Sequence, residues 1–135
     1  MPDSVEALDQ KVVSSQTKLT RAIAAHEKAK SATKKARQAY AMASARYERR
    51  DRAVKGLKSL KGAPVSGAEL KSARTALDKE RQARNRAASE MDKARIDWGA
   101  SELAQATAAQ AEERARFAVI RASTRMQAAQ RRGRK

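Results

Sequence analysis

Helix breakers are confined to one internal place in this chain. Pro2 and Pro64 are its only prolines, and its five glycines are Gly56, Gly62, Gly67, Gly99 and Gly133. Lys61-Gly62-Ala63-Pro64-Val65-Ser66-Gly67 is the one strong breaker cluster. Asp3 with Glu6 reads as a helix N-cap and its capping-box partner, and Ser66 with Glu69 repeats that spacing after the cluster. These signals predict a helix over 4–61, a loop over 62–66, a second helix over 67–131 and a basic tail over 131–135. At about 1.5 Å per residue each arm would be on the order of 90 Å long. A short loop between long helices makes them antiparallel neighbours. The expected fold class is all-α: a single long antiparallel helical hairpin, a two-helix coiled coil with an alanine-rich seam, filling residues 1–135 as one elongated domain.

Heptad periodicity leads to the same fold. In the first helix, position a takes Val5, Val12, Leu19, His26, Thr33, Tyr40, Tyr47 and Val54, and position d takes Leu8, Ser15, Ala22, Ala29, Ala36, Ala43, Arg50 and Leu57. In the second, position a takes Leu70, Leu77, Arg84, Met91, Trp98, Gln105, Glu112, Val119 and Met126. Its d positions are Ala73, Glu80, Ala87, Ala94, Ser101, Ala108, Ala115, Ala122 and Ala129. One register therefore persists along each arm. Folding at the loop so that partner numbers sum to 127 sets Leu19 opposite Ala108, Tyr40 opposite Ala87, Trp98 opposite Ala29 and His26 near Ser101. Large then faces small. The same register brings Asp9 near Arg116 and Asp51 near Arg74. His26, Arg50, Glu80, Arg84 and Glu112 are charged or polar lapses in the seam that would weaken it. A seam of alanines buries little area, so the isolated hairpin should be marginal and gain from a partner or from self-association.

Composition enters through charge. The chain carries 31 Lys and Arg against 15 Asp and Glu, a formal net charge of +16. Such an excess repels itself and favours a polyanionic partner, with plain solubility or an acidic protein surface as the other reading. Residues 46–61 hold seven basic residues against two acidic ones. The residues expected to contact polyanion are Arg46, Arg49, Arg52, Lys55, Lys58, Lys61, Lys71, Arg131, Arg132, Arg134 and Lys135. Aromatic residues are 3% of the chain, which disfavours base-stacking platforms, and no zinc-finger spacing or RNP-like motif occurs. Lys and Arg contacts to phosphate remain, with little sequence specificity.

Several apolar residues fall off the seam. Val13, Ile23, Ile96, Leu103, Phe117 and Ile120 form a candidate protein-docking set, or else mark a 3.6-residue helix drifting against a 3.5-residue repeat. Chemistry is not expected. The lone His26 has no nucleophile or acid constellation, the carboxylates lack convergent metal spacing, and there is no P-loop or cysteine. The reading is therefore a non-enzyme without cofactor, metal or small-molecule substrate. No apolar run approaches a membrane span, and the start lacks a signal-peptide pattern. The expected location is intracellular, or within a virion or large particle.

Two functions fit these features. The first is a structural or assembly protein of a nucleic-acid-containing particle, such as a virion, a phage head or a ribosome-like assembly. It would contact phosphate through its basic surface and dock on protein through its open end. The second rests on likeness of architecture alone. With its Ala22–Ala43 ladder and basic Arg114–Lys135 end, the chain resembles the small stalk proteins of flagellar and type III secretion export. Those are basic, Ala- and Gln-rich two-helix hairpins that work beside a hexameric export ATPase. The resemblance implies a protein-interaction stalk or chaperone without nucleic acid.

Overall fold

The computed structural model describes residues 4–60 and 66–133. Two helices, α1 (Val5–Leu60) and α2 (Gly67–Gly133), pack against each other as an all-α helical hairpin, with no strand among the described residues. Ser66 caps α2 as expected: its Oγ accepts the Glu69 N–H at 3.2 Å and its carbonyl accepts the Leu70 N–H at 2.9 Å. At α1 the cap is Ser4 rather than Asp3, which lies outside the described residues. Ser4 Oγ accepts the Ala7 N–H at 3.1 Å, and its carbonyl accepts the Leu8 N–H at 3.0 Å. Ser4 can take this place because a short hydroxyl side chain reaches the N3 amide as well as a carboxylate does.

The contacts group into two compact units, one of residues 1–33 with 101–135 and the other of residues 34–100. The first is held by Leu8 and Val12, both buried, with half-buried Leu19, Ala115, Val119 and Ala122. The second is held by Ala43, Val54, Leu77 and Ala87, of which Val54 is fully enclosed at 0% exposure. Tyr40 and Trp98 stack tilted within this unit, ring centroids 5.4 Å apart. The Trp98 Nε1–H is buried there without an acceptor among the described residues, a cost offset by the ring's packing. Apart from Val5, Arg50 and Ala73, every seam position assigned from the heptad is buried or half-buried.

The register between the helices differs from the expected one by about a heptad. Thr33 Oγ1 donates to the Ser101 carbonyl at 3.0 Å and to the Ala29 carbonyl at 2.9 Å, a bridge from one helix to the other. Arg50 meets both Glu80 oxygens at 3.4 Å, and Arg84 lies 3.6 Å from Asp51. The partner sums of these pairs are 134, 130 and 135, and that of His26 with Glu112 is 138, all above the expected 127. The Asp9–Arg116 and Asp51–Arg74 pairs are therefore not formed. Arg116 instead donates to Glu112 of its own helix at 2.9 Å, and Asp51 accepts from Lys55 at 3.0 Å. His26 faces Glu112 rather than Ser101, with Nδ1 and Oε2 2.5 Å apart and each side chain 15% exposed. An ionised carboxylate only accepts, so Nδ1–H is the donor.

The reason for the shift lies in the seam lapses. A slide of seven residues returns every a and d position to the seam, so large still faces small. Charge separates the two registers. In the observed one, all five lapses find a partner: His26 with Glu112, Arg50 with Glu80, and Arg84 with Asp51. Pairs at this exposure contribute little net energy, but the expected register would part His26 from Glu112 and Arg84 from Asp51, whereas Arg50 and Glu80 lie between the two registers and favour neither. The His26 and Arg84 pairs act on register, as a polar a-position residue does in a coiled coil.

Two carboxyls carry this role into pH dependence. The His26 hydrogen bond, then that of Arg116, holds Glu112 below its ordinary 4.5. The Lys55 hydrogen bond holds Asp51 below its ordinary 3.8, against the opposing effect of burial and helped by the charges of Lys55 and Arg84. A lowered carboxyl pKa adds stability above the unfolded-state value, and that stability is lost as pH falls through the folded value. Melting followed by far-UV circular dichroism should thus show stability declining as the pH drops through 4.5 and below. The Glu112→Gln variant should show a shallower decline than the parent protein. An equal slope would remove Glu112 from this role. For packing, Val54→Ala should cost about 2 kcal/mol through lost burial and a residual cavity. Urea unfolding followed by Trp98 fluorescence, from the one tryptophan of the chain, reads this directly.

Candidate polyanion-binding grooves

In each unit the two helices contribute c, d and g positions to a groove. In the first unit, Lys11 and Lys18 of α1 face Arg121 and Arg125 of α2. Leu8, Ala118 and Ala122 line the groove between them, joined by Ser14 and Ser15. Four cations and no carboxylate line this groove. Small side chains between the cations leave room for a bulky anion to approach. Among the described residues, Lys18, Arg121 and Arg125 make no ion pair, so their charge is available to an anion. Like charges gathered in this way repel one another.

The second unit carries a mixed version. Arg46, Arg49 and Arg50 of α1 and Arg86 of α2 line it together with Glu80 and Glu90, around Ala53, Ala83 and Ala87. Arg50 is occupied by Glu80. Arg46, Arg49 and Arg86 have no ion-pair partner among the described residues. Guanidinium groups suit this task because their planar fork matches two phosphate oxygens at once.

The other expected contact residues are distributed differently. Arg46 and Arg49 come together with Arg86, but Arg52, Lys55 and Lys58 do not line that groove. Arg52 leans back on its own helix, Nε 3.4 Å from the Glu48 carbonyl, and Lys55 is paired with Asp51. Lys71 lines a shallow depression with Lys79 and Thr75. Arg131 and Arg132 are exposed in the last turn of α2. Lys61, Arg134 and Lys135 lie outside the described residues. The expected contact set left out Lys11, Lys18, Arg121, Arg125 and Arg86. The available signal was the heptad letter, since Lys11, Lys18, Arg46 and Arg125 all fall at g and Arg49, Arg86 and Arg121 at c.

The off-seam apolar residues also separate. Val13, Ile96, Leu103, Phe117 and Ile120 are each more than half exposed, between 54% and 70%. Ile23 is half-buried beside the seam. Because the a and d positions stay in the seam along both helices, drift of the buried stripe does not account for the exposed five. Tyr40 and Trp98 are taken up by their stacking contact, so neither offers an open ring face for a base. Among the described residues no group of three or more potential metal ligands gathers, and no helix is long and apolar enough to cross a membrane. No family model, curated protein or solved structure matches the chain.

Proposed function

We propose that this protein is a non-enzymatic structural component of a nucleic-acid-containing particle, which grips phosphate backbones through its cation-lined grooves. The observation that carries this reading is the groove of Lys11, Lys18, Arg121 and Arg125, which holds four cations and no acid. A hairpin with a thin alanine seam does not need that arrangement for its own stability, and like charges gathered there oppose folding. A phosphate backbone removes the penalty. Phe117 alone of the aromatic residues is exposed, too few for a base-stacking platform, so binding is expected to follow charge rather than sequence. The exposed apolar side chains leave room for a protein contact in the same particle.

Salt titration of binding to a random-sequence DNA duplex, with a matched RNA duplex beside it, tests this. The logarithm of affinity should fall linearly with the logarithm of salt, with a slope near −0.9 for each phosphate neutralised. Combining Lys18→Gln, Arg121→Gln and Arg125→Gln should flatten the slope by about 1 for each lost phosphate contact, equally for every sequence. Absence of binding at low salt would reject the proposal. The charge would then serve an acidic protein surface, as the stalk-and-chaperone resemblance implies, and stimulation of a hexameric ATPase would become the assay.

A further inference from the structure

Charge in the first unit is divided by flank. Among its described residues every acid falls at a, b or e: Glu6, Asp9, Glu27, Glu102, Glu112 and Glu113. The c and g positions hold no acid. They hold Arg21, Lys28, Arg114 and Arg132 beside the four cations of the groove, a charge of +8 on one flank. The b and e positions carry a net −3, since their two cations, Lys30 and Arg116, are outnumbered. Both of these are engaged by acids of their own helix, Lys30 by Glu27 at 3.3 Å and Arg116 by Glu112 at 2.9 Å. Arg21, Lys28 and Arg114 are exposed and make no ion pair among the described residues. The second unit shows that the heptad does not impose this division. There Glu90 and Asp97 stand at g, and Arg37, Arg74 and Arg95 at e.

We infer that a nucleic acid lies lengthwise along the c and g flank of this unit and makes no contact with the b and e flank. The inference rests on the phosphate-binding reading above and adds the face, the orientation and the residues beyond the groove. Orientation follows from the register. With Glu112 level with His26, the α2 cations from Arg125 to Arg114 interleave with the α1 cations from Lys11 to Lys28. Seven cations then follow one another over about 26 Å. That density is comparable with the roughly one phosphate per 3.4 Å of a duplex strand, so the row suits a phosphate chain running along the helices. A chain crossing them would meet only the few cations at one level and leave the rest repelling one another. The opposite flank excludes the ligand. Glu6, Asp9, Glu102 and Glu113 have no ion-pair partner among the described residues, so they would face phosphate uncompensated. A helix with its side chains is about 10–12 Å across, more than the roughly 8 Å over which exposed charge acts at physiological salt. Each flank therefore presents its own sign.

Two triple variants of equal net charge separate the flanks. Ser14→Glu, Ala25→Glu and Ala111→Glu put three acids at c and g. Gln16→Glu, Thr20→Glu and Gln127→Glu put three at e and b, and all six positions are exposed. Each variant is titrated with salt against the random-sequence DNA duplex, after far-UV spectra have shown equal helix content. The first should weaken binding and flatten the salt slope by about 1 for each cation it neutralises. The second should keep the parent slope and the parent affinity at physiological salt. Equal loss in both variants, or loss in the second alone, overturns the one-sided placement and leaves phosphate binding standing. Lys28 and Arg125 stand near opposite ends of the row, so Lys28→Gln with Arg125→Gln should flatten the slope by about 2. A change of about 1 would mean that the ligand crosses the helices, and would overturn the lengthwise placement. A parent protein that does not bind at low salt overturns phosphate binding itself, and this placement with it.

Discussion

Close contact of two helices along a seam largely of alanine is the constraint on which the other features depend. Alanine across from a bulky residue at most levels lets the backbones approach, as the bond from Thr33 to the Ser101 carbonyl shows. The same choice leaves few large side chains in the interior. Leu8, Val12, Val54 and Leu77 are the bulky ones that are buried among the described residues, Val54 alone completely. With so little apolar area to distinguish one alignment from another, small terms decide. A stacked pair of rings and the pairs His26–Glu112 and Arg84–Asp51 can select a register that hydrophobic burial alone would leave nearly degenerate.

A narrow seam also determines where charge can go. Only two positions in seven are needed for packing, so the remaining surface is free to be specialised. In the first unit that surface divides into two kinds. One flank gathers Lys11, Lys18, Arg121 and Arg125, and the outer face of α2 carries the exposed Leu103, Phe117 and Ile120. A protein of this net charge needs such a division if it is both to hold a polyanion and to contact protein.

The two helices and their ends were legible because the signals for them are local. Breakers, caps and heptad letters all act within a few residues, so the helix ends agree with Val5–Leu60 and Gly67–Gly133 to within two positions wherever those positions are described. The cap at Ser4 shows the limit even here, since Asp3 and Ser4 offer equivalent chemistry one residue apart. The site was less legible. Clusters along the chain drew attention to Arg52, Lys55 and Lys58, but a groove gathers residues from two helices by face. Lys18 and Arg121 are far apart in the chain and line the same groove.

By itself, the sequence determined that the chain is two helices and which stripe of each is buried, because a seven-residue repeat of small and apolar side chains has one energetically reasonable face. It did not determine how far one helix slides along the other. A shift of a whole heptad preserves every a-to-d match, so the pattern carries no information about it. Tertiary structure decided that slide through the pairing of His26 with Glu112 and Arg84 with Asp51. In so doing it decided which cations share a groove. The physical reason is that hydrophobic burial is periodic along a helix, whereas a charge and its partner meet at only one level.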